Sequence, residues 1–564
     1  MAFPPPATSS SLPSSFATLA TSSIIDSLSA FFTTRDPESA NSHVPYTRLD
    51  AHDESEFEMA GQNETVLGNK SPASSIDEIR EEEAVEALTP GAAYVLRTGK
   101  VKWYRGVPYN ITVLGLCSFL APGLWGAMAA LGAGGSQKPQ LVNAANSLTF
   151  CLMVVTSALT STLIRLTSVR FALMFGTSGY AVYAAGLYLN KKAGVEWLVY
   201  LGAATCGISA GVFWSTEGAI GIGYPSRESL GRWVSYWLAW RVLGQIIGGA
   251  INLALNADAS GAGSVSTNTY LVFIVLQALG PAAAFLLSPP AKVQRRDGSP
   301  VYLGIDNGTK DELKAMLKIF TKPQTLLILP LIFQTTFSES LTGTYAALHF
   351  SVRARALGSL LSAICAQLAN FILGFLLDWQ KATVNRRSRV AFISLYAFAG
   401  GIWIFAVKLM NEYHTTKPLL DWKDADFSRG FALYIMLQVM FNLLYEYTYF
   451  LVGAINDDPS ELIRLTSIVR GVESAGQAVS YGINSTGFRL DAVAGINMGL
   501  WGICLLPAWI VVRKVGITAD GTHVHSLRTV APEDKRAQLK AAGVKTAAHD
   551  HGATDAKLLT AKND

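Results

Sequence analysis

The groups in this sequence that could do chemistry are polar and charged residues set inside long apolar runs. Glu217 follows Phe213-Trp214-Ser215-Thr216, and Arg241 lies in the next apolar run. A charge in a hydrocarbon core needs a partner, a wet cavity or a task. One connector joins the two runs, so Glu217 and Arg241 are expected at similar depth, as an ion pair. Such a pair is either a gate that breaks when helices rock or a fixed staple. Glu339 interrupts the polar run Phe333-Gln334-Thr335-Thr336-Phe337-Ser338-Glu339-Ser340. Further on, Asn442 and Glu446 are four apart and share a helix face, with Tyr445 and Tyr449 on an adjacent one. A water-filled cavity lined by carboxylates, amides and tyrosine hydroxyls explains both runs. Glu339 or Glu446 would then couple a proton, and polar packing between helices is the competing reading. Arg470 and Glu473 are three apart and can pair, with Gln477 continuing that face. Trp214, Glu217, Arg241, Glu339, Asn442, Tyr445, Glu446 and Glu473 are therefore the candidate transport-path or coupling residues.

Other chemistry finds little support. There is no dinucleotide fingerprint, no P-loop and no His-Glu-x-x-His helix, so no catalytic residue, cofactor or direct ATP drive is expected. Cys117, Cys151, Cys206, Cys365 and Cys504 lie far apart in apolar segments, without metal-ligand spacing, and read as small buried residues. His349 and His414 fall at helix ends, where an ordinary surface histidine is the simpler reading than a pH sensor. Gln245, ahead of Gly248-Gly249, reads as close helix packing. The net charge of +4 is small for 564 residues and argues against a nucleic-acid partner.

The elements that position these residues follow from hydropathy. Charged residues make up 15% of the chain, against about 25% in soluble proteins. Long apolar segments, each able to cross a bilayer as a helix, lie near 107–132, 142–164, 169–190, 196–221, 232–256 and 267–288, then near 323–348, 355–378, 389–409, 428–454, 461–484 and 491–513. The expected fold is an all-α membrane protein with two six-helix bundles and a path between them. The domains read as a disordered cytosolic tail over 1–100, a first bundle over 101–288, a connector over 289–322, a second bundle over 323–514 and a cytosolic tail over 515–564. The tail composition, rich in Ser, Pro, Asp and Glu, cannot build a core. Residues 76–87 could form one short helix. Lys310 to Lys318 has the pattern of an amphipathic helix on the membrane surface.

Charge placement gives the orientation. With the N-terminus in the cytosol, Arg165 and Arg170, Arg227 and Arg232, Lys292, Arg295 and Arg296, Lys381 to Arg389, and Arg513 with Lys514 all fall inside. Lys191–Lys192 and Arg353–Arg355 are exceptions on the outer side, and the inner connector near Asp457, Asp458 and Glu461 is acidic. Both termini are expected in the cytosol. The sequons at Asn63, Asn110, Asn307 and Asn484 lack an accessible lumenal loop. No signal peptide is evident, so the first membrane helix is expected to serve for targeting. Plasma membrane and vacuolar or other endomembranes stay open.

The run Gly374-Phe-Leu-Leu-Asp378-Trp-Gln-Lys381, followed by Arg386-Arg387, resembles the inner-loop motif of the major facilitator superfamily. The resemblance makes Asp378, Arg386 and Arg387 inner-gate candidates. The matching connector of the first half, Thr162 to Arg170, keeps arginines but lacks the aspartate. A closer resemblance is to the fungal branch of the UNC-93-like family. It is carried by Trp103-Tyr104-Arg105, by Phe119-Leu-Ala-Pro122-Gly123-Leu-Trp-Gly-Ala127 leading to Gly134-Gly135, and by Tyr224-Pro225 with Gly231-Arg232 and an aromatic helix ending before Asn252 and Asn256. The resemblance implies the major facilitator-type 12-helix fold. It leaves two roles open, because fold does not fix function. One is a secondary transporter of a small organic solute by alternating access, with a proton as candidate coupling ion. The other is a non-transporting adaptor, trafficking escort or channel regulatory subunit with a membrane-protein partner. The lipid bilayer is the partner in either case, and the second role predicts a collapsed central cavity.

Overall fold

Long helices account for nearly all of the structure. The computed structural model describes residues 102–524, apart from 137, 226–229, 296–300, 302–308, 380, 456–458 and 519–520. The expected tails over 1–100 and from 525, the short helix at 76–87, the sequons Asn63 and Asn307, and Arg227, Arg296, Asp457, Asp458 and the Glu461 side chain lie outside the described residues.

The helices are α1 (Val107–Ala130), α2 (Pro139–Leu166), α3 (Val169–Ala193), α4 (Trp197–Gly223), α5 (Leu230–Asn256) and α6 (Thr267–Phe285). They continue with α7 (Thr309–Phe320), α8 (Pro323–His349), α9 (Val352–Leu377), α10 (Val384–Thr416), α11 (Phe427–Ala454), α12 (Pro459–Ser485) and α13 (Leu490–Val512). The apolar segments read from the sequence are thus helical, with ends shifted by three residues or fewer except in α10, which extends beyond the expected 389–409 at both ends. Their polarity differs, however. Among the described residues nine helices are long and apolar enough to cross a membrane, and α7 with α8, bent by 85°, makes up to ten. The helices α3 and α12 are long enough but not among these. Arg464, Arg470 and Glu473 lie along α12, and the last two of these charges help build the site below. The protein is an all-α, multi-pass membrane protein.

Local chemistry sets the helix ends. Ser168, Ser266, Ser351 and Thr383 each accept a hydrogen bond from a backbone N–H in the first turn of α3, α6, α9 and α10. Gly194 closes α3 in the left-handed conformation. Residues Phe119–Gly123 of α1 form a π-helical turn around Pro122. Proline has no N–H for the helical ladder, and such turns relieve the clash. A Cβ on Gly123 would lie 2.8 Å from the Arg241 carbonyl oxygen, and one on Gly244 would lie 2.7 Å from that of Phe119. Glycine at both positions lets α1 and α5 cross at backbone contact.

Buried apolar side chains form two clusters. One draws mainly on α1–α6, with Val352, Ala356, Ala478 and Tyr481 added. The other draws on α7–α13. The clusters meet where α2 packs along α12 and α5 along α9. A Cβ on Gly249 would lie 2.7 Å from Leu360 Cα, so α5 and α9 touch backbone to backbone there.

The basic residues that broke the charge rule are tied down locally. Lys191 Nζ donates to the Val265 carbonyl. Arg353 forms a two-pronged pair with Asp421, which also accepts from Ser351 Oγ at 2.6 Å. Arg355 is buried and donates to the carbonyls of Leu131 (2.6 Å), Gly132 (2.9 Å), Gly263 (2.9 Å) and Ser136 (3.4 Å). These carbonyls lie in the bend after α1 and the α5–α6 connector, so Arg355 joins α9 to both. Not every cysteine is buried: Cys151 is exposed on α2 and Cys365 is half-buried on α9.

Candidate functional site

Nine helices contribute to one central cavity of about 120 Å³. The break in α1 supplies Pro122, Trp125 and Gly126, and α4 and α5 supply Trp214, Arg241 and Gln245. Opposite them stand Glu339 from α8, Gln438, Phe441, Asn442 and Tyr445 from α11, and Arg470, Gln477 and Tyr481 from α12. The remaining wall comes from α2, α3 and α9, including Phe150, Tyr180 and Ser359.

Two arginines meet at one indole. The Arg470 guanidinium carbon lies 3.7 Å from the centroid of the Trp214 ring, and that of Arg241 lies 5.5 Å from it. Arg241 also sits 5.6 Å from the Tyr445 ring. Cation–π attraction strengthens where water is excluded. Arg470 has acceptors for one nitrogen: Nη1 donates to Glu473 Oε2 at 2.8 Å and to the Tyr445 hydroxyl at 3.2 Å, while its Nε is buried without a partner. The Tyr445 hydroxyl donates to that of Tyr449 at 3.3 Å, which donates to Glu473 at 3.4 Å. The expected Arg470–Glu473 pair therefore forms, inside a ring of two tyrosines. Glu473 lies behind Arg470, buried.

The expected Glu217–Arg241 ion pair does not form. Glu217 accepts from Ser118 Oγ and from Trp237 Nε1, the latter at 2.5 Å. Trp237 is one turn before Arg241 on the same face of α5, and Ser118 precedes the π turn of α1. Both donors reach Oε1, Oε2 is buried without a hydrogen-bond partner, and Arg241 faces the cavity instead. Its Nε is buried without a hydrogen-bond partner, and its guanidinium makes no hydrogen bond or ion pair among the described residues.

Glu339 lines the cavity and accepts from Gln477 Nε2. Asn442 lines it too, donating to the Gln438 carbonyl at 2.9 Å. Glu446 does not, in contrast to the sequence reading. It lies one turn farther along α11, about 6 Å down the axis, beside Gly374 and near Asp378. The shared helix face was real, but the cavity ends before it. Of the inner-gate candidates, Asp378 follows the last turn of α9 and Arg387 is buried and electrostatically coupled to it. Arg386 is exposed, its backbone N–H capped by Thr383. Among the described residues no cluster of His, Cys, Asp and Glu could hold a metal.

Sequence reasoning missed Gln438, Tyr180 and Tyr481 in the wall and gave Gln245 only a packing role. Uncharged residues in a membrane helix carry no strong cost, so nothing in the sequence flagged them.

A profile described as "Ion channel regulatory protein UNC-93" matches residues 143–414. A relative from Aspergillus versicolor, "Notoamide biosynthesis cluster protein O'", is 44% identical over 429 residues, covering 76% of this chain and 93% of the relative. The chain belongs to the UNC-93-like family. "UNC93-like protein 1" of Arabidopsis thaliana is 28% identical, over 75% of this chain and 94% of its own length. This UNC-93-like chain also shares its fold with solved transporters. A D-xylose–proton symporter aligns with a TM-score of 0.50 at 11% identity, over 75% of this chain and all of the symporter. A POT family transporter in complex with 5-aminolevulinic acid aligns with a TM-score of 0.50 at 11% identity, over 72% of this chain and 96% of the transporter. At such identity the likeness concerns the fold alone, an all-α multi-pass fold resembling that of these transporters.

Proposed function

We propose that this protein is a regulatory subunit or adaptor for another membrane protein, an ion channel in the first instance, built on a transporter-type fold. The observation that carries this is the match over 143–414 to the UNC-93 profile with its channel-regulatory description. The cavity agrees with it. A volume of about 120 Å³ is well below the range of about 300–1,000 Å³ typical of pockets for drug-sized ligands, and admits only a molecule of a few atoms across. The reading involves no bond-making step and no cofactor. The test is electrical. Native membranes from cells with and without the protein are patched, and the purified protein is studied alone in planar bilayers. The reading expects a conductance that changes with the protein in native membranes and none from the protein alone. Unchanged native currents would refute it.

The cavity wall favours a second reading, secondary transport of a small organic solute, since Arg241, Glu339 and Arg470 place charge where helices of both halves meet. In that reading the chain has twelve spans in two six-helix bundles over 101–288 and 323–514, with both termini cytosolic and α7 on the inner surface. Glu339 is then the preferred proton-coupling group, ahead of Glu446, which lies outside the cavity. Gradient-driven flux in sealed vesicles, lost in Glu339→Gln, would establish it over the regulatory reading.

A further inference from the structure

We infer that the central cavity is a binding site for a small organic monocarboxylate, held through Arg241. The inference goes beyond the regulatory reading and does not require the cavity to open on both sides of the membrane.

The argument begins with charge. A guanidinium stays protonated in proteins and has five donors to place. Burying such a charge without an acceptor is unfavourable. The charge of Arg470 is answered by Glu473 through Nη1, which also donates to Tyr445, although its Nε has no partner. Arg241 has no acceptor among the described residues, although its guanidinium faces the same cavity. The Trp214 and Tyr445 rings lie 5.5 Å and 5.6 Å from its central carbon and attract the charge without accepting its N–H groups in conventional hydrogen bonds. Planar carboxylates match that fork geometry.

Three features narrow the ligand. Glu339 stands in the same wall, engaged by Gln477, and would repel a second negative charge. The aromatic surfaces of Trp125, Phe150, Trp214 and Phe441 suit an apolar body. The volume, at about 10–15 Å³ for each water by the same measure, holds on the order of ten heavy atoms. A monoanion the size of benzoate meets all three conditions.

The test uses the purified full-length chain in lipid nanodiscs, with benzoate, its uncharged isostere benzamide, and chloride. Thermal stability and calorimetric titration are the readouts. Benzoate is expected to bind saturably and raise Tm, with benzamide at least tenfold weaker. Arg241→Gln is expected to lose at least tenfold in benzoate affinity while its weak benzamide affinity holds, and Arg241→Lys to fall between. Glu339→Gln is expected to tighten benzoate, a change that a merely structural Arg241 would not produce. Equal binding of benzamide and benzoate overturns the inference, as does benzoate binding that survives Arg241→Gln. Chloride competing with the same Arg241 dependence overturns the organic class and leaves an inorganic anion site. If Arg241→Gln fails to fold, Arg241→Lys and the benzoate–benzamide comparison on the natural sequence decide the matter.

Discussion

The Arg470 guanidinium lies over the Trp214 indole, its central carbon 3.7 Å from the ring centroid, and so ties α12 to α4 across the cavity. The same arginine closes on Glu473 one turn along its own helix. A cation, a carboxylate and an aromatic face thus form one buried unit from segments more than 250 residues apart in sequence.

Breaking that unit on one side leaves a buried charge unanswered. Glu473→Gln is expected to destabilise the protein by about 3–5 kcal/mol, the usual cost of removing one partner of a buried pair. The double variant Arg470→Met with Glu473→Leu is expected to recover most of it. Thermal unfolding in nanodiscs checks both. A double variant no better than the single one would show that the pair itself is required.

Glu217 depends on neutral donors. Trp237→Phe removes the indole N–H that donates at 2.5 Å and leaves only Ser118. The expected loss is about 1–3 kcal/mol. Because Glu217 and Arg241 form no ion pair, exchanging them (Glu217→Arg with Arg241→Glu) is expected to be worse than either single change, as stability measurements on all three variants would reveal.

Arg355 satisfies four backbone carbonyls at once. In Arg355→Met those oxygens lose their donor, at about 1–3 kcal/mol for each that stays buried. Hydrogen exchange should rise first in the bend over 131–136 and near Gly263. Uniform protection there in the variant would mean that the bend holds without the arginine.

Outside the membrane, Arg353 and Ser351 hold the Asp421 carboxyl well below the usual carboxylate range. A lowered folded-state pKa adds stability that is complete above the unfolded value near 4 and is lost as pH falls through the folded value. The Tm of the natural sequence is therefore expected to decline below about pH 4 more steeply than that of Asp421→Asn, which lacks this contribution at every pH. Parallel declines would remove Asp421 from the account.

At Gly249 a side chain would meet the α9 backbone, with Leu360 Cα at 2.7 Å and Leu360 N at 2.9 Å. Backbone cannot yield as a flexible side chain can. Gly249→Ala is expected to cost about 1–3 kcal/mol and to loosen α5 from α9, which cross-linking between cysteines placed on the two helices would report.

The sequence by itself determined where the helices run, because hydropathy and N-cap residues act over a few neighbours. It also determined the Arg470–Glu473 pair, because residues three apart share a helix face whatever surrounds them. The close approach at Gly248-Gly249 was legible for the same local reason. Tertiary structure alone decided which charges share a space. Glu217 found Ser118 and Trp237 because the break in α1 brings that helix against α5. Glu446 missed the cavity because α11 leaves it within one turn. Arg241 faces the cavity while Glu217 turns its Oε1 to donors on α1 and α5. None of these can be read along the chain: each depends on which of several helices reaches a polar group first, and that is set by how the helices pack.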